Sequence, residues 1–416
     1  MTPLGRRLVA IISLGLALLV VAILTLRALG VPIALGPLAS PTPVPPPSLT
    51  PAPSVAGSGS LEEALAAIEA DVADLRDLPP ADIGPPRLVS RDELEELLAD
   101  RFVEDYPPEE VAADNVLYHA LGLLADDQDI GELSLQLLSG QVLGYYDTAS
   151  REMVIVAETG LTPDAEAVYA HEYTHALQDA AFDLETLVTD ASDRSLAELG
   201  LVEGDATTAM TLWAIENLTL EEILDISQTP LPDTSGIPAW MIRQLEFPYL
   251  AGSEFVTQLY GTGGFAAVDE TWADPPRSTE QVLHYAAYVD DEAPVEVTAF
   301  TPAGEVEVAV DTTFGEAMTA IWLAALGVPQ VDADAAAAGW GGDAITAVSS
   351  ADGQVGVVLV TAWDTPIDAD EFVAAYQQAL ERLPLFGHVE RVSDTEVTIR
   401  QGTSEAFVAS FAGPLN

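Results

Sequence analysis

Cysteine and lysine are both absent from this chain of 416 residues, and histidine occurs only five times. Without cysteine there is no structural disulfide, no thiolate metal ligand and no cysteine-borne lipid anchor. The same absence leaves the redox compartment undecided. Bases are scarce throughout. Fourteen residues, all arginine, stand against 67 aspartates and glutamates, a formal net charge of -53. Such a surface repels nucleic acid and anionic lipid, which excludes both as electrostatic partners. The acidity itself reads first as a well-solvated surface. No internal repeat is present. What the chain does have is apolar residues, 49% of the total, which rules out general disorder. The length suffices for two domains with sizeable cores.

The N-terminus carries the longest apolar run. Leu8–Leu26 is nineteen residues without a formal charge, preceded by Arg6 and Arg7. At about 1.5 Å per residue a helix of this length nearly spans a hydrocarbon core of roughly 30 Å. It exceeds the apolar region of about 7 to 15 residues usual in a signal peptide. The basic residues before it favour a cytoplasmic N-terminus, against which Arg27 weighs only weakly. The expectation is a single-pass anchor over residues 1–36 with the rest of the chain outside the cytoplasm. The alternative is secretion after signal-peptide cleavage. Residues 37–60 are rich in proline and serine and contain no charge. They read as an extended tether.

From Ser60 onward the pattern is that of a folded α+β protein. Ser60 with Glu63 and Ser90 with Glu93 are spaced as capping boxes ahead of amphipathic helices. PEEVAADNVLYHALGLLAD reads as a third helix. QVLGYYD and REMVIVAE, separated by Thr148, Ala149 and Ser150, read as a β-hairpin. Thr162 as cap and Pro163 at the first helical position then open the helix TPDAEAVYAHEYTHALQDA. Another helix is expected from about Ser195, where SLAE offers a further box, to about Asn217. Residues 61–300 thus form the main domain. Residues 301–416 form a smaller α+β domain, with EVEVAV, GVVLVTAW, ERVSDTEVTIR and EAFVASF strand-like and DADEFVAAYQQALERL helical. AAAAGWGGD reads as a helix ending in a glycine turn.

Two of the five histidines fall in VYAHEYTHALQDA. On a helix turning about 100° per residue, His171 and His175 lie one turn apart on one face, so both imidazoles can reach one ion. Glu172 is offset to their side, where its carboxylate can face a water rather than the metal. Two metal ligands and a general base from one helical turn is the mechanical sense of H-E-x-x-H, a zinc-hydrolase pattern. A catalytic zinc site usually takes a third protein ligand. With no cysteine, that ligand is a histidine or a carboxylate. In SLAELGLVEGDATTAMTLWAIEN, the residues Leu199, Glu203, Ala206, Met210 and Trp213 share a face that is apolar except for Glu203. A lone carboxylate there loses several kcal/mol of hydration unless it is paired or bound to metal. Glu203 is therefore the expected third ligand. Asp179, one turn past His175, is placed to orient a ligand. Gly204 permits close approach of two helices, and Asp205 has no assignable role. His119 and His388 read as ordinary polar residues.

HEYTH followed by a glutamate on a later helix resembles the gluzincin class of zinc metallopeptidases. HEYTHALQD, LVEGDA and PPRSTEQVLH together resemble a group of bacterial membrane-anchored metallopeptidases. The likeness covers about Gly144 to Tyr285, with a weaker echo at AAAAGWGGD and AWDTPIDADEF. Two positions depart from it: Ala180 stands where glutamine is usual, and Tyr285 where proline is. The resemblance implies a zincin-like catalytic domain with a small antiparallel sheet. It also implies peptide-bond hydrolysis of a peptide or protein substrate, by water on a zinc ion held by His171, His175 and Glu203 and activated by Glu172. His284, with Tyr285 next to it, is the candidate donor to the developing oxyanion. A strand containing Gly144 and Tyr145 would line the cleft and pair with substrate backbone. The alternative is a protein that holds zinc and binds a partner at the cell surface without catalysis.

Overall fold

The computed structural model describes residues 60–157, 160–187, 192–227 and 234–412. The expected membrane anchor, Leu8–Leu26, and the linker up to Gly59 lie outside these residues. Among the described residues no helix is long and apolar enough to cross a membrane.

Helix α1 (Leu61–Arg76) opens on the expected box. Ser60 Oγ accepts from the Glu63 amide at 3.3 Å, and the Glu63 carboxylate accepts from the Ser60 amide at 2.9 Å. A short strand β1 (Arg87–Val89) precedes α2 (Arg91–Asp105), where only half of the box forms. Ser90 caps the Glu93 amide, but the Glu93 carboxylate turns to Arg87, a charged partner stronger than an amide. Helices α3 (Pro108–Ala120) and α4 (Ile130–Gln141) lead into the hairpin of β2 (Gly144–Asp147) and β3 (Glu152–Val156). The hairpin is antiparallel, with Asp147 opposite Glu152. β1 pairs in parallel with β3, so the sheet order is β1-β3-β2 and β2 lies at an edge.

Behind this sheet lies α5 (Pro163–Phe182), which Pro163 begins, although Thr162 makes no side-chain capping bond. Next comes α6 (Ser192–Asn217), which starts a turn before the expected Ser195. Ser195 therefore lies inside the helix rather than at its N-cap, and Glu198 pairs with Arg194, one turn back, at 2.8 Å. Helices α7 (Leu220–Ser227), α8 (Ala239–Gly263), α9 (Phe265–Thr271), α10 (Thr279–Leu283) and α11 (Tyr285–Val289) follow.

The remainder is an antiparallel sheet in the order β4-β5-β6-β8-β7 with its helices. Its elements are β4 (Glu307–Thr312), α12 (Gly315–Ala325), α13 (Gln330–Ala337), β5 (Trp340–Ser349), β6 (Val355–Trp363), α14 (Pro366–Leu380), β7 (Phe386–Arg391), β8 (Glu396–Gly402) and α15 (Glu405–Ala412). EAFVASF, expected as a strand, is the helix α15. Its buried residues Phe407, Val408 and Phe411 fall on one helical face, a spacing that a short apolar run also offers a strand. The described residues thus form an α+β protein with fifteen helices and two sheets.

The apolar core crosses residue 300. One buried cluster takes in Leu98, Phe102, Leu117 and Leu121 from before it and Trp322, Ile345, Leu359 and Phe372 from after it. Carbonyls at and just after the C-terminal end of α3 accept from distant side chains. Ala120 O accepts from Gln401 at 2.6 Å, Leu121 O from Trp322 at 3.0 Å and Leu123 O from Trp240 at 2.9 Å.

A buried polar joint adds to this. Asp193 on α6 accepts from the Thr279 amide at 3.2 Å and hydroxyl at 2.6 Å, and Thr279 Oγ1 in turn accepts from the Ala317 amide at 3.1 Å. Asp343 accepts from the Phe314 and Gly315 amides, both at 2.7 Å, and from the Trp340 indole at 2.8 Å. Gly315, at φ +82°, meets Asp193 so closely that a Cβ there would lie 1.7 Å from Asp193 Oδ1. Burial, and then the charge of Asp343, push Asp193 up to about 7. Because the folded state holds this proton above the unfolded carboxyl range, it binds more protons than the unfolded chain between about pH 4 and 7. Stability therefore falls as pH rises through that window, by up to about 1.4 kcal/mol per pH unit for one group. Asp193→Asn keeps an acceptor and removes the titration. The variant's unfolding free energy, measured from pH 5 to 8, is expected to fall less steeply than the wild type's. An unchanged slope would assign the pH dependence to other groups.

Candidate metal centre

The centre is built where α5 and α6 cross. Val168, Tyr169, Tyr173 and Leu177 of α5 pack in one buried cluster with Met210, Trp213 and Ala214 of α6. That packing turns the Glu203 face of α6 toward α5. The neighbouring residue Gly204 faces the other way, against α8, and a Cβ there would lie 2.3 Å from Gly252 O. The expected glycine contact therefore joins α6 to α8 rather than to α5. With no side chain between them, α8 presses α6 into place and Glu203 toward the two histidines.

His171, His175 and Glu203 are brought together, each almost wholly buried, and each offers one donor atom to a common point. His171 Nε2 lies 3.0 Å from His175 Nε2 and 3.1 Å from Glu203 Oε2, and His175 Nε2 lies 3.4 Å from the same oxygen. Donors bound tetrahedrally at about 2.0–2.1 Å from one ion are about 3.3–3.4 Å apart. The triangle matches that spacing to within a few tenths of an ångström. The residues therefore fit a small divalent metal ion.

Hydrogen bonding fixes which atoms face the centre. Gln178 Nε2 donates to Val202 O and to Asp205 Oδ2, both at 3.0 Å, so its amide oxygen must point the other way. That oxygen accepts from His175 Nδ1 at 2.8 Å. The Nδ1 proton is thereby held, and His175 Nε2 is the ring nitrogen that faces the centre. Asp205 is anchored by Arg76, whose Nε lies 3.0 Å from Oδ1 and which also binds Asp269 at 2.8 Å. Arg76 is fully buried, with its guanidinium over the Phe265 ring at 4.2 Å. The chain His175–Gln178–Asp205–Arg76 is what orients the His175 ring. Asp179, expected in that role, accepts instead from the Tyr146 hydroxyl at 3.0 Å.

Three acceptors facing one another need a positive charge between them. Burial works most strongly against protonation of His175, but the charge and hydrogen bond of Glu203, the charge of Glu172 and the bond to Gln178 together outweigh it and raise His175 to about 9. Burial lowers His171, an effect that the hydrogen bond to Glu203 only partly offsets. Burial raises Glu203, but the His175 charge and the two imidazole contacts bring it below the ordinary carboxylate range. The three groups thus favour a shared proton. A divalent ion would displace it and supply more charge. Glu172 is buried in the same turn of α5, near enough for its charge to act on His175.

Of the other candidates, His284 contributes no atom to this triangle. The His284 ring is half exposed and holds Glu316 Oε1 of α12 at 2.8 Å. Tyr285 packs edge-on against Phe255, with ring centroids 6.1 Å apart. Gly144 and Tyr145 lie on β2, the edge strand, whose one strand partner among the described residues is β3. His119 falls in the last turn of α3, and His388 lies on β7.

Sequence reasoning passed over Gln178, Arg76 and Tyr249. Gln178 carries a readable signal, since it stands three residues after His175 on the same face. Arg76 is 129 residues from Asp205, and no local pattern links them. Tyr249, buried on α8, stacks on His171 at 6.3 Å between centroids.

A family model for a domain of unknown function (DUF8575) matches residues 305–413, which contain β4 to β8 and their helices. No curated protein and no solved structure matches the chain.

Proposed function

We propose that this chain is a zinc-dependent peptidase of the gluzincin type, with a zincin-like catalytic domain in residues 61–300. The observation that carries this reading is the convergence of His171, His175 and Glu203 beside Glu172. Zinc held by those three residues would supply a Lewis acid and lower the pKa of water toward neutrality. Two imidazoles and a carboxylate suit that ion, whereas calcium and magnesium prefer oxygen donors alone. The part played by the chain itself follows from its side chains. Glu172 accepts a proton at its carboxylate from the attacking water and returns it to the leaving amine. Gln178, through Asp205 and Arg76, keeps the His175 ring in the required tautomer and orientation. Burial of the cluster keeps the local dielectric low, so each of these charges acts strongly on its neighbours.

As the edge strand of its sheet among the described residues, β2 would offer backbone groups to an extended peptide, a mode of recognition that leaves side-chain specificity weak. The substrate is accordingly a peptide or an unstructured stretch of protein. Residues 1–36 would tether the enzyme to the membrane with its catalytic part on the extracytoplasmic side.

The test is hydrolysis of casein by the full chain as purified, after chelation, and after addition of zinc. Cleavage should vanish with the metal and return with zinc. A chain that carries zinc and still leaves casein and a mixed peptide library intact would count against a peptidase.

A further inference from the structure

We propose that Glu280, Glu292 and Asp364 form a second cation site, distant in sequence from the first and suited to calcium. Each offers one carboxylate oxygen, and the three oxygens lie within 4.8 Å of one another. Carboxylates so close repel one another unless a cation or shared protons lie among them. Glu280 sharpens the point. Only 4% of it is exposed, and its Oε2 atom has no hydrogen-bond partner among the described residues. A buried carboxylate oxygen left unpaired is strongly unfavourable unless something neutralises it. Glu316 stands alongside, equally buried. One of its oxygens is on His284 and the other is also unpartnered. Burial, and then Glu316, Asp364 and Glu292, raise Glu280 to about 8. Those neighbours act as one cluster, in which the His284 ring is the nearby base.

The three backbones are held in place before any ion arrives. Glu280 sits in α10, whose N-terminus Ser278 caps by accepting from the Gln281 amide at 3.3 Å. The Glu292 segment is tied back by Gln281 Nε2 donating to Glu292 O at 2.8 Å, and by the Glu292 amide donating to Ala287 O at 2.9 Å. Asp364 follows β6, and its amide donates to Gly339 O at 2.9 Å. Side-chain repulsion on so fixed a scaffold cannot be relieved by large backbone movement. A cation is the economical remedy.

The donor set selects the ion. It is all oxygen, which disfavours zinc and favours calcium or magnesium. Glu292 and Asp364 are exposed, so water can complete a coordination shell of six to eight oxygens at about 2.3–2.6 Å, the calcium habit. An ion there would clip α10 and the residues after α11 to the turn between β6 and α14. It would thus join the metal-bearing part of the chain to the matched family domain. This site does not depend on the reading of the first one as a peptidase centre.

The experiment is isothermal titration of the zinc-loaded full chain, dialysed free of calcium and magnesium, with calcium chloride and separately with magnesium chloride. The thermal midpoint is followed in parallel. One saturating calcium per chain is expected, with magnesium at least about tenfold weaker and a midpoint that rises with calcium. Glu280→Gln and Asp364→Asn should each weaken calcium by about tenfold or more. Glu381→Gln, at an exposed carboxylate elsewhere, should leave it unchanged, and the zinc content of all three should match the wild type. Asp364 is exposed, so its variant keeps the test sound even if Glu280→Gln folds poorly. Absence of saturable calcium binding would overturn the site. So would binding that Asp364→Asn and Glu381→Gln affect equally, because that is the counterion cloud of an acidic surface.

Discussion

Replacement of Glu172 by glutamine is expected to abolish peptide hydrolysis while leaving the metal bound. Glutamine keeps the size and planarity of the carboxylate but cannot take up a proton, so the loss isolates proton transfer from packing. A positioned general base contributes about 10²- to 10⁴-fold. The fall in kcat/KM on a fluorogenic peptide should lie in that range, with the zinc content unchanged. Glu172 is buried beside His175 and contributes no atom to the three-donor triangle. Metal retention is therefore part of the prediction and not an accessory to it. Hydrolysis within about threefold of wild type would remove Glu172 from the chemistry, since even a weak base contributes more than that.

Glu203→Gln is the opposite case: here the metal itself should be lost. Glu203 is the one anionic donor of the three, and its Oε2 touches both imidazoles. The neutral amide that replaces it leaves two imidazoles with no counter-charge in a buried site. Changes to a mere outer partner of a ligand cost about 10- to 100-fold in affinity, and loss of the charged ligand itself should cost more than about 100-fold. Stability provides a second readout. Zinc at about 1,000 times its Kd stabilises a folded protein by about 4 kcal/mol. Added zinc should therefore raise the wild-type thermal midpoint clearly and leave the variant's nearly unmoved.

These residues were legible in the sequence to different degrees, for physical reasons. His171 and His175 announce themselves because four residues make one helical turn, and scarcity of histidine makes the pair conspicuous. Glu203 could be read because a single carboxylate interrupts an apolar stripe. The oxygen of Gln178, and the support Asp205 receives from Arg76, could not be read so directly. They depend on which helices meet, and α1 reaches α6 only through the fold. At Ser90 half of the expected box forms, and Ser195 lies inside α6, which begins at Ser192. In each case a nearby arginine holds the glutamate, a pairing that only structure shows. Strand β1 is three residues long, too short for alternation to show. EAFVASF has a burial pattern that both regular structures share. The contact of Gly204 with α8 was half legible: glycine signals close approach, but not by which helix.

Metal content measured by inductively coupled plasma mass spectrometry tests the central claim most directly. After equilibration with zinc and removal of the excess, the full chain should retain about one ion at this centre, and Glu203→Gln almost none. A wild-type chain that retains no zinc, or a variant that holds as much as the wild type, would contradict the account.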